Sequence, residues 1–262
     1  MFRWKKKAAA AVALAALAVA VTACGGSKPA GEKDKLVIAT SGTYKPITYS
    51  EGGELTGFDI DMGKEIAQRL GVRVEFVSGQ LSGLLPGLNA GKFDAVMSGL
   101  LMTDQRKQSI TFSDPYLADG TIAVSKTGSA KVSDITKLDG LKVGVIGGSA
   151  TQTAIEKVGG YTELKEYPGA PEGFADVSAG RIDVFAAGRI AADDYVKTSP
   201  KGGDLHTVGQ IFNLMPAGVG FAKTDTTLKP KFDKAIGAMW ADGTIAKLQQ
   251  KWFGYTIDLP KA

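Results

Sequence analysis

The chain has 262 residues, of which 44% are hydrophobic and 22% charged, and its formal net charge is +4. Four of the 31 basic residues lie in the first seven positions, and the first 24 residues hold none of the 27 acidic ones. The remainder is therefore neutral, which excludes a basic field for nucleic acid. With one cysteine, Cys24, and one histidine, His206, neither a metal site nor a cofactor is predicted. The polar sequence around His206 predicts a solvated loop.

The first 24 residues predict a secretory signal. Basic residues precede a run of Ala, Val and Leu over residues 8–21, and this run is shorter than the roughly 20 apolar residues that span a membrane. Residues 21–25, VTACG, resemble a bacterial lipobox, with Val21 where Leu is usual. The resemblance implies a signal peptide over residues 1–23 and a lipid on Cys24. The alternative is an ordinary signal peptide that happens to contain a cysteine.

Residues 24–35 are polar with Pro and Gly, which predicts a flexible tether. Alternating apolar strands and helices follow. Strands are predicted at residues 36–39, 72–77 and 95–97, and helices at 61–70 and 81–90, with a hairpin turn at Gly52-Gly53. Apolar strands that alternate with helices predict an α/β fold with a parallel sheet.

The same pattern restarts after residue 129. Strands are predicted at residues 141–146, 164–167, 182–186 and 218–222, and helices at 149–158, 171–179, 190–197, 228–240 and 243–252. We predict two α/β lobes, the first from residues 36–125 plus 218–262 and the second from residues 126–217. The chain then crosses between the lobes near residues 123–126 and 216–218.

Three groups of motifs point to a family. GFDID occupies residues 57–61. GKFDAVMSG at 91–99 leads into TDQR at 103–106 and FSDPY at 112–116, and ADGT at 241–244 precedes KWFG at 251–254. Their order and spacing resemble the polar amino-acid-binding proteins (family 3) that serve bacterial ABC importers. The resemblance implies a periplasmic-binding-protein fold of type II, whose two lobes close about a hinge. It also implies an extracytoplasmic monomer that presents its ligand to a permease.

The resemblance also assigns candidate binding residues. Arg106 holds the ligand's α-carboxylate, because a guanidinium fork matches a carboxylate with two parallel hydrogen bonds. Ser98 and Gly99 offer backbone carbonyl and amide groups at a strand end. Tyr44 supplies an aromatic face and Leu81 an apolar wall, with ordinary core packing as the alternative for both.

The start of the second lobe's first helix is a further candidate. Ser149, Ala150 and Thr151 lie there, and backbone N–H groups at a helix start favour an anion. The stretch that precedes them, LKVGVIGG at residues 141–148, matches neither nucleotide-phosphate motif.

The chain departs from the family pattern at three candidate positions. Leu101 stands where the family usually has Ser or Thr, and Ala150 stands where it usually has Thr. Gly188 replaces the Asp that pairs with the ligand's α-ammonium in the family. A desolvated ammonium without a partner costs several kcal/mol, roughly. Either another acid has moved in or the ligand lacks an ordinary ammonium. Arg189 either faces the cleft or is a solvated residue at a helix start. Asp59 is interpreted as a turn and cap residue.

Three alternative functions arise from the same pattern. The same class of protein can bind a cyclised amino-acid derivative or an organic acid, which the three departures favour. A few relatives with this fold dehydrate prephenate- or arogenate-like acids, but the motifs place no acidic residue in the cleft, so an enzyme is not predicted. A receptor's sensor domain is not expected, because no membrane span or signalling module follows Ala262.

Overall fold

The computed structural model describes residues 35–129 and 131–260, which form two five-stranded sheets, a small three-stranded antiparallel sheet and the helices that pack on them. In chain order the strands are β1 Lys35–Thr40, β2 Thr43–Tyr44, β3 Thr48–Glu51, β4 Glu54–Thr56, β5 Arg73–Ser78, β6 Ala95–Val96, β7 Ile110–Phe112, β8 Leu117–Lys126, β9 Lys142–Ile146, β10 Glu163–Tyr167, β11 Val184–Gly188, β12 Leu205–Ala217 and β13 Gly220–Ala222. The helices are α1 Phe58–Leu70, α2 Leu81–Asn89, α3 Asp104–Ser109, α4 Ala150–Val158, α5 Ala170–Ser178, α6 Arg189–Thr198, α7 Leu228–Ala241 and α8 Thr244–Phe253.

The first sheet has the order β5-β1-β6-β13-β7. Strands β5, β1 and β6 are parallel as predicted, whereas β13 runs antiparallel to both of its neighbours. Helix α1 packs against α7 and α8, and its buried face includes Phe58 and Met62. The C-terminal helices therefore return to the first sheet, as the sequence predicts.

The second sheet has the order β10-β9-β11-β8-β12. Strands β10, β9 and β11 are parallel, but β8 runs antiparallel to both β11 and β12. The prediction of a parallel sheet is therefore confirmed for three strands of each sheet and wrong for β13 and β8. In each sheet the antiparallel strands lie next to the points where the chain enters or leaves, so their direction depends on the crossover and not on a βαβ unit.

Two short segments join the sheets, at residues 113–116 and at Gly218-Val219. They are bonded to each other, since Ser113 N donates to Val219 O over 2.9 Å and Val219 N donates to Ser113 Oγ over 2.9 Å. The second crossing lies where the sequence predicts it. The first precedes β8, because β8 pairs within the second sheet from Leu117 onwards, and the predicted point at residues 123–126 is the far end of that strand. The lobe limits themselves stay a prediction.

No helix among residues 35–129 and 131–260 is long and apolar enough to cross a membrane. The predicted signal peptide and Cys24 lie outside the described residues. His206 belongs to β12 and is half-buried, so the prediction of a solvated loop is wrong.

Candidate ligand-binding cleft

The carboxyl ends of strands from both sheets meet at one cavity. Its lining includes Ser41 after β1, Ser98 after β6, Ser149 after β9 and Gly188 at the end of β11. Ligands of open α/β sheets usually bind at such strand ends. The ten predicted binding residues all line this cavity: Tyr44, Leu81, Ser98, Gly99, Leu101, Arg106, Ser149, Ala150, Thr151 and Gly188. Their contact with a ligand stays a prediction.

Arg106 is the cation of the cleft. Thr103 positions it by capping the short helix α3, where Arg106 N donates to Thr103 Oγ1 over 3.2 Å. Arg106 is 9% exposed, and its Nη1 and Nη2 donate to the carbonyl oxygens of Leu101 and Gly148, each over 3.0 Å. Burial lowers its pKa to about 10. No acidic side chain in the described part of the chain forms an ion pair with it.

The start of α4 faces the same cavity. Ser149 is the N-cap, and its hydroxyl accepts a hydrogen bond of 3.0 Å from Gln152 N. Ala150 and Thr151 are the first two helical residues, whose backbone N–H groups have no partner within a helix. The Thr151 hydroxyl lies 3.2 Å from that of Thr121. The side chains of Ser149 and Thr151 are thus engaged inside the protein, and the backbone N–H groups remain for an anion.

The turn after β6 is fixed by Asp59. The amide of Gly99 donates to Asp59 Oδ2 over 2.6 Å, and the hydroxyl of Tyr116 donates to Oδ1 over 3.0 Å. Burial raises the pKa of Asp59 to about 7. The predicted role of Asp59 as a helix cap is wrong, because its carboxylate holds Gly99. Of the backbone groups expected from Ser98 and Gly99, the amide of Gly99 is therefore already used.

Tyr44 and Leu81 both line the cleft. The Tyr44 hydroxyl accepts a hydrogen bond of 3.1 Å from the backbone N–H of Gly188, which joins β2 to the end of β11. Burial raises the pKa of Tyr44, and the negative charge of Asp119 raises it further. Leu81 is partly buried and packs against core residues from both sheets.

Sequence reasoning missed an acid in the cleft, Asp119 on β8. The side chain is buried, and its Oδ1 accepts hydrogen bonds from the backbone N–H groups of Gly120 over 2.8 Å and Ile190 over 3.4 Å. Burial raises its pKa to about 7. The sequence carried a signal, since this acid lies in a mostly apolar run, LADGTIAV at residues 117–124, and acids are rarely buried unless they are paired or hydrogen-bonded.

Two other polar residues, Ser41 and Arg189, differ in their relation to the cleft. Ser41 also lines the cavity, and its buried Oγ has no hydrogen-bond partner among residues 35–129 and 131–260. Arg189 pairs with Asp193 one turn along α6 and is not among the lining residues. Of the two readings of Arg189, the structure supports the helix-surface one. No group of His, Cys, Asp and Glu in the described residues is arranged to hold a metal.

The fold and the cleft define a two-lobed binding protein, and the comparison with known families agrees. The model of the bacterial extracellular solute-binding proteins, family 3, matches residues 36–255. The chain belongs to this family, which confirms the resemblance, the fold class and the extracytoplasmic placement.

Individual relatives bind amino acids. The histidine-binding periplasmic protein of Salmonella typhimurium is 34% identical over 233 residues, which are 85% of this chain and 89% of that protein. An ancestral arginine-binding protein bound to arginine has a TM-score of 0.81 at 36% identity, covering 85% of this chain and 99% of that one. An ancestral amino acid-binding protein, a precursor of cyclohexadienyl dehydratase, has a TM-score of 0.77 at 34% identity and covers 84% and 96%.

Proposed function

We propose that this protein binds an amino acid in the cleft between its lobes and delivers it to an ABC importer. The observation that carries the proposal is Arg106, a buried cation with no acidic partner among the described residues. A buried charge is costly unless it is paired, so an anionic ligand is the natural partner. The amino acids bound by the relatives supply that anion as an α-carboxylate.

The carboxylate has donors from both lobes. Arg106 approaches from the first sheet, and the N–H groups of Ala150 and Thr151 approach from α4 on the second. A ligand that engages both sets favours the arrangement in which the two sheets face each other across the cavity. The contact from Arg106 Nη2 to Gly148 O already spans the same gap.

The proposal includes location and assembly. The lipobox-like sequence at Cys24 supports a lipid anchor at the outer face of the cell membrane. An anchored binder keeps a high effective concentration near its permease. One cleft within one chain needs no second subunit, so we propose a monomer.

The test is a thermal-shift screen of common α-amino acids, their cyclised derivatives and small organic acids, followed by calorimetry of the hits. A ligand stabilises the native state by mass action, so a hit raises the melting temperature. We expect Arg106→Ala to weaken binding about 30-fold or more. The control is Arg73→Ala, an exposed arginine on β5 of the same lobe. Equal affinity in Arg106→Ala and wild type would contradict the proposal.

Two alternatives remain in the same screen. Cyclised derivatives or organic acids as the sole hits would favour a changed ligand over an α-amino acid. Enzyme activity has one observation in its favour, since a cleft carboxyl with a pKa of about 7, that of Asp119, has the acidity expected of a general acid. We propose that the protein is not an enzyme, and release of water from a prephenate- or arogenate-like acid by the purified protein would contradict this.

A further inference from the structure

We infer that the carboxylate of Asp119, reaching the cleft from β8, is the group that binds the ligand's α-ammonium. The inference rests on the proposed function and narrows it to ligands with a free α-ammonium. It also names the group that stands in for the acid that Gly188 lacks.

The position of Asp119 is the first step. Strands β8 and β11 are antiparallel neighbours, with Gly188 opposite Thr121, two residues from Asp119. A Cβ on Gly188 would lie 2.4 Å from Asp119 Oδ2 and 2.1 Å from the Tyr44 hydroxyl oxygen. The Asp119 carboxylate therefore reaches the space that a side chain at position 188 would enter.

The backbone of Gly188 does not explain the missing side chain. Its φ of −64° and ψ of 144° are open to any residue. The three atoms nearest to the place of a Cβ belong to Tyr44 and Asp119. The absence of a side chain at Gly188 thus leaves room for the carboxylate of Asp119, which comes from the adjacent strand.

The charges of the cleft are the second step. Arg106 and Asp119 are the two residues with formal charge among those that line the cavity, and neither has an ion-pair partner in the described part of the chain. One cation and one anion match the carboxylate and the ammonium of a zwitterion. A plain organic acid would leave Asp119 buried and unpaired, which disfavours it.

The hydrogen bonds of Asp119 are the third step. The hydrogen bonds from Gly120 N and Ile190 N both go to Oδ1, and the backbone N–H of Arg189 also interacts with the carboxylate, so the side chain is fixed at the start of α6. Oδ2 is the oxygen beside Gly188. An ammonium has three N–H groups to place, and the unpartnered Oγ of Ser41 is a second acceptor on the cavity wall.

The experiment compares two ligands that differ only in the ammonium. Calorimetry measures the affinity of the amino acid found in the screen and of its α-hydroxy acid, for wild type and Asp119→Asn. The amide keeps an oxygen for the backbone bonds at Oδ1 and removes the charge. We expect Asp119→Asn to weaken binding of the amino acid about 30-fold or more and to leave the affinity for the hydroxy acid nearly unchanged. Glu163→Gln, which removes an exposed acid on β10 of the same sheet and outside the cavity lining, is the control and should change neither.

The outcomes separate this inference from the proposed function. A folded Asp119→Asn protein that still prefers the amino acid by the wild-type factor overturns the inference, while a loss in Arg106→Ala keeps the proposed function. Failure of every amino acid to bind wild type overturns the proposed function itself. Should Asp119→Asn not fold, Gly188→Ala is the second variant, since its methyl group displaces Oδ2. Retained preference in Gly188→Ala also overturns the inference.

Discussion

The charged residues of the cleft are poorly placed for stability, and this is the cost of a binding site. Arg106 and Asp119 are each buried without an ion-pair partner among the described residues. Burial lowers the pKa of Arg106 and raises that of Asp119, so it favours the neutral form of both. Groups placed for a ligand are expected to destabilise the protein that lacks it. Asp119 allows this trade-off to be measured, because its protonation changes in an accessible pH range.

We predict that Asp119→Asn stabilises the ligand-free protein increasingly as the pH rises. The folded-state pKa of about 7 lies above the ordinary value of 3.8, so the stability that protonated Asp119 provides is lost as the pH rises toward 7. Asparagine stays neutral and does not lose it. At about 1.4 kcal/mol per pH unit, the advantage of the variant grows by about 2–3 kcal/mol between pH 5 and pH 8. Urea unfolding at both pH values measures it.

The neighbours of Asp119 define the control for that measurement. Tyr44 faces it from β2, Asp193 from α6 and Tyr255 from the segment after α8. The pKa of Tyr44 is raised and that of Tyr255 is raised to about 12, so neither ionises between pH 5 and pH 8. The negative charge of Asp193 raises the pKa of Asp119, and Asp193→Asn should shift the same curve to lower pH. If the stability difference between Asp119→Asn and wild type does not vary with pH, the assignment of the raised pKa to Asp119 is wrong.

At the scale of elements, the start of α4 combines a structural and a binding role that substitution can separate. We predict that Ser149→Ala lowers the free energy of unfolding by about 1 kcal/mol, because the hydrogen bond to Gln152 N is lost. Its ligand affinity should change little. Ser149→Asp keeps a capping oxygen and should retain stability, but its charge repels the ligand's carboxylate and should weaken binding at least tenfold. Urea unfolding and calorimetry distinguish the two, and equal affinity in both variants would contradict an anion site here.

The elements that sequence predicts well are those whose signals are local. Helices α1 and α2 lie where a periodic apolar face and a following glycine place them, and Gly71 takes the left-handed conformation that ends α1. The sequence does not predict strands β8 and β12, because they pair across about 90 residues of chain and no local sequence pattern indicates their partners.

The same limit explains which part of the cleft was missed. Arg106 and the start of α4 lie in local motifs, so the sequence predicts both for the cleft, and both line the cavity in the structure. Asp119 enters the cleft only through the pairing of β8 with β11, which sequence reading did not foresee. The gap at Gly188 was visible in the sequence, but the residue that occupies the space required the register of two distant strands.

At the scale of the whole molecule, the cleft depends on direct contact between the two lobes. Arg106 Nη2 donates to Gly148 O, and Gly188 N donates to the Tyr44 hydroxyl. Gly148 lies against α2, where an added Cβ would be 2.8 Å from the Cα of Ser82. A side chain at this position would hold the lobes apart, because backbone cannot give way as a flexible side chain can.

We therefore predict that Gly148→Ala impairs ligand binding by opposing the approach of the lobes. The matched control is Gly180→Ala, since both glycines have a positive φ, 75° and 72°, but a Cβ on Gly180 meets nothing within 4 Å. Alanine in this conformation costs about 1–2 kcal/mol, so both variants should lose similar stability. Only Gly148→Ala should also lose affinity, about tenfold or more. Small-angle scattering with saturating ligand should then show a larger radius of gyration for Gly148→Ala than for Gly180→Ala. Equal affinities and equal radii would mean that the lobes bind the ligand without the close approach at Ser82.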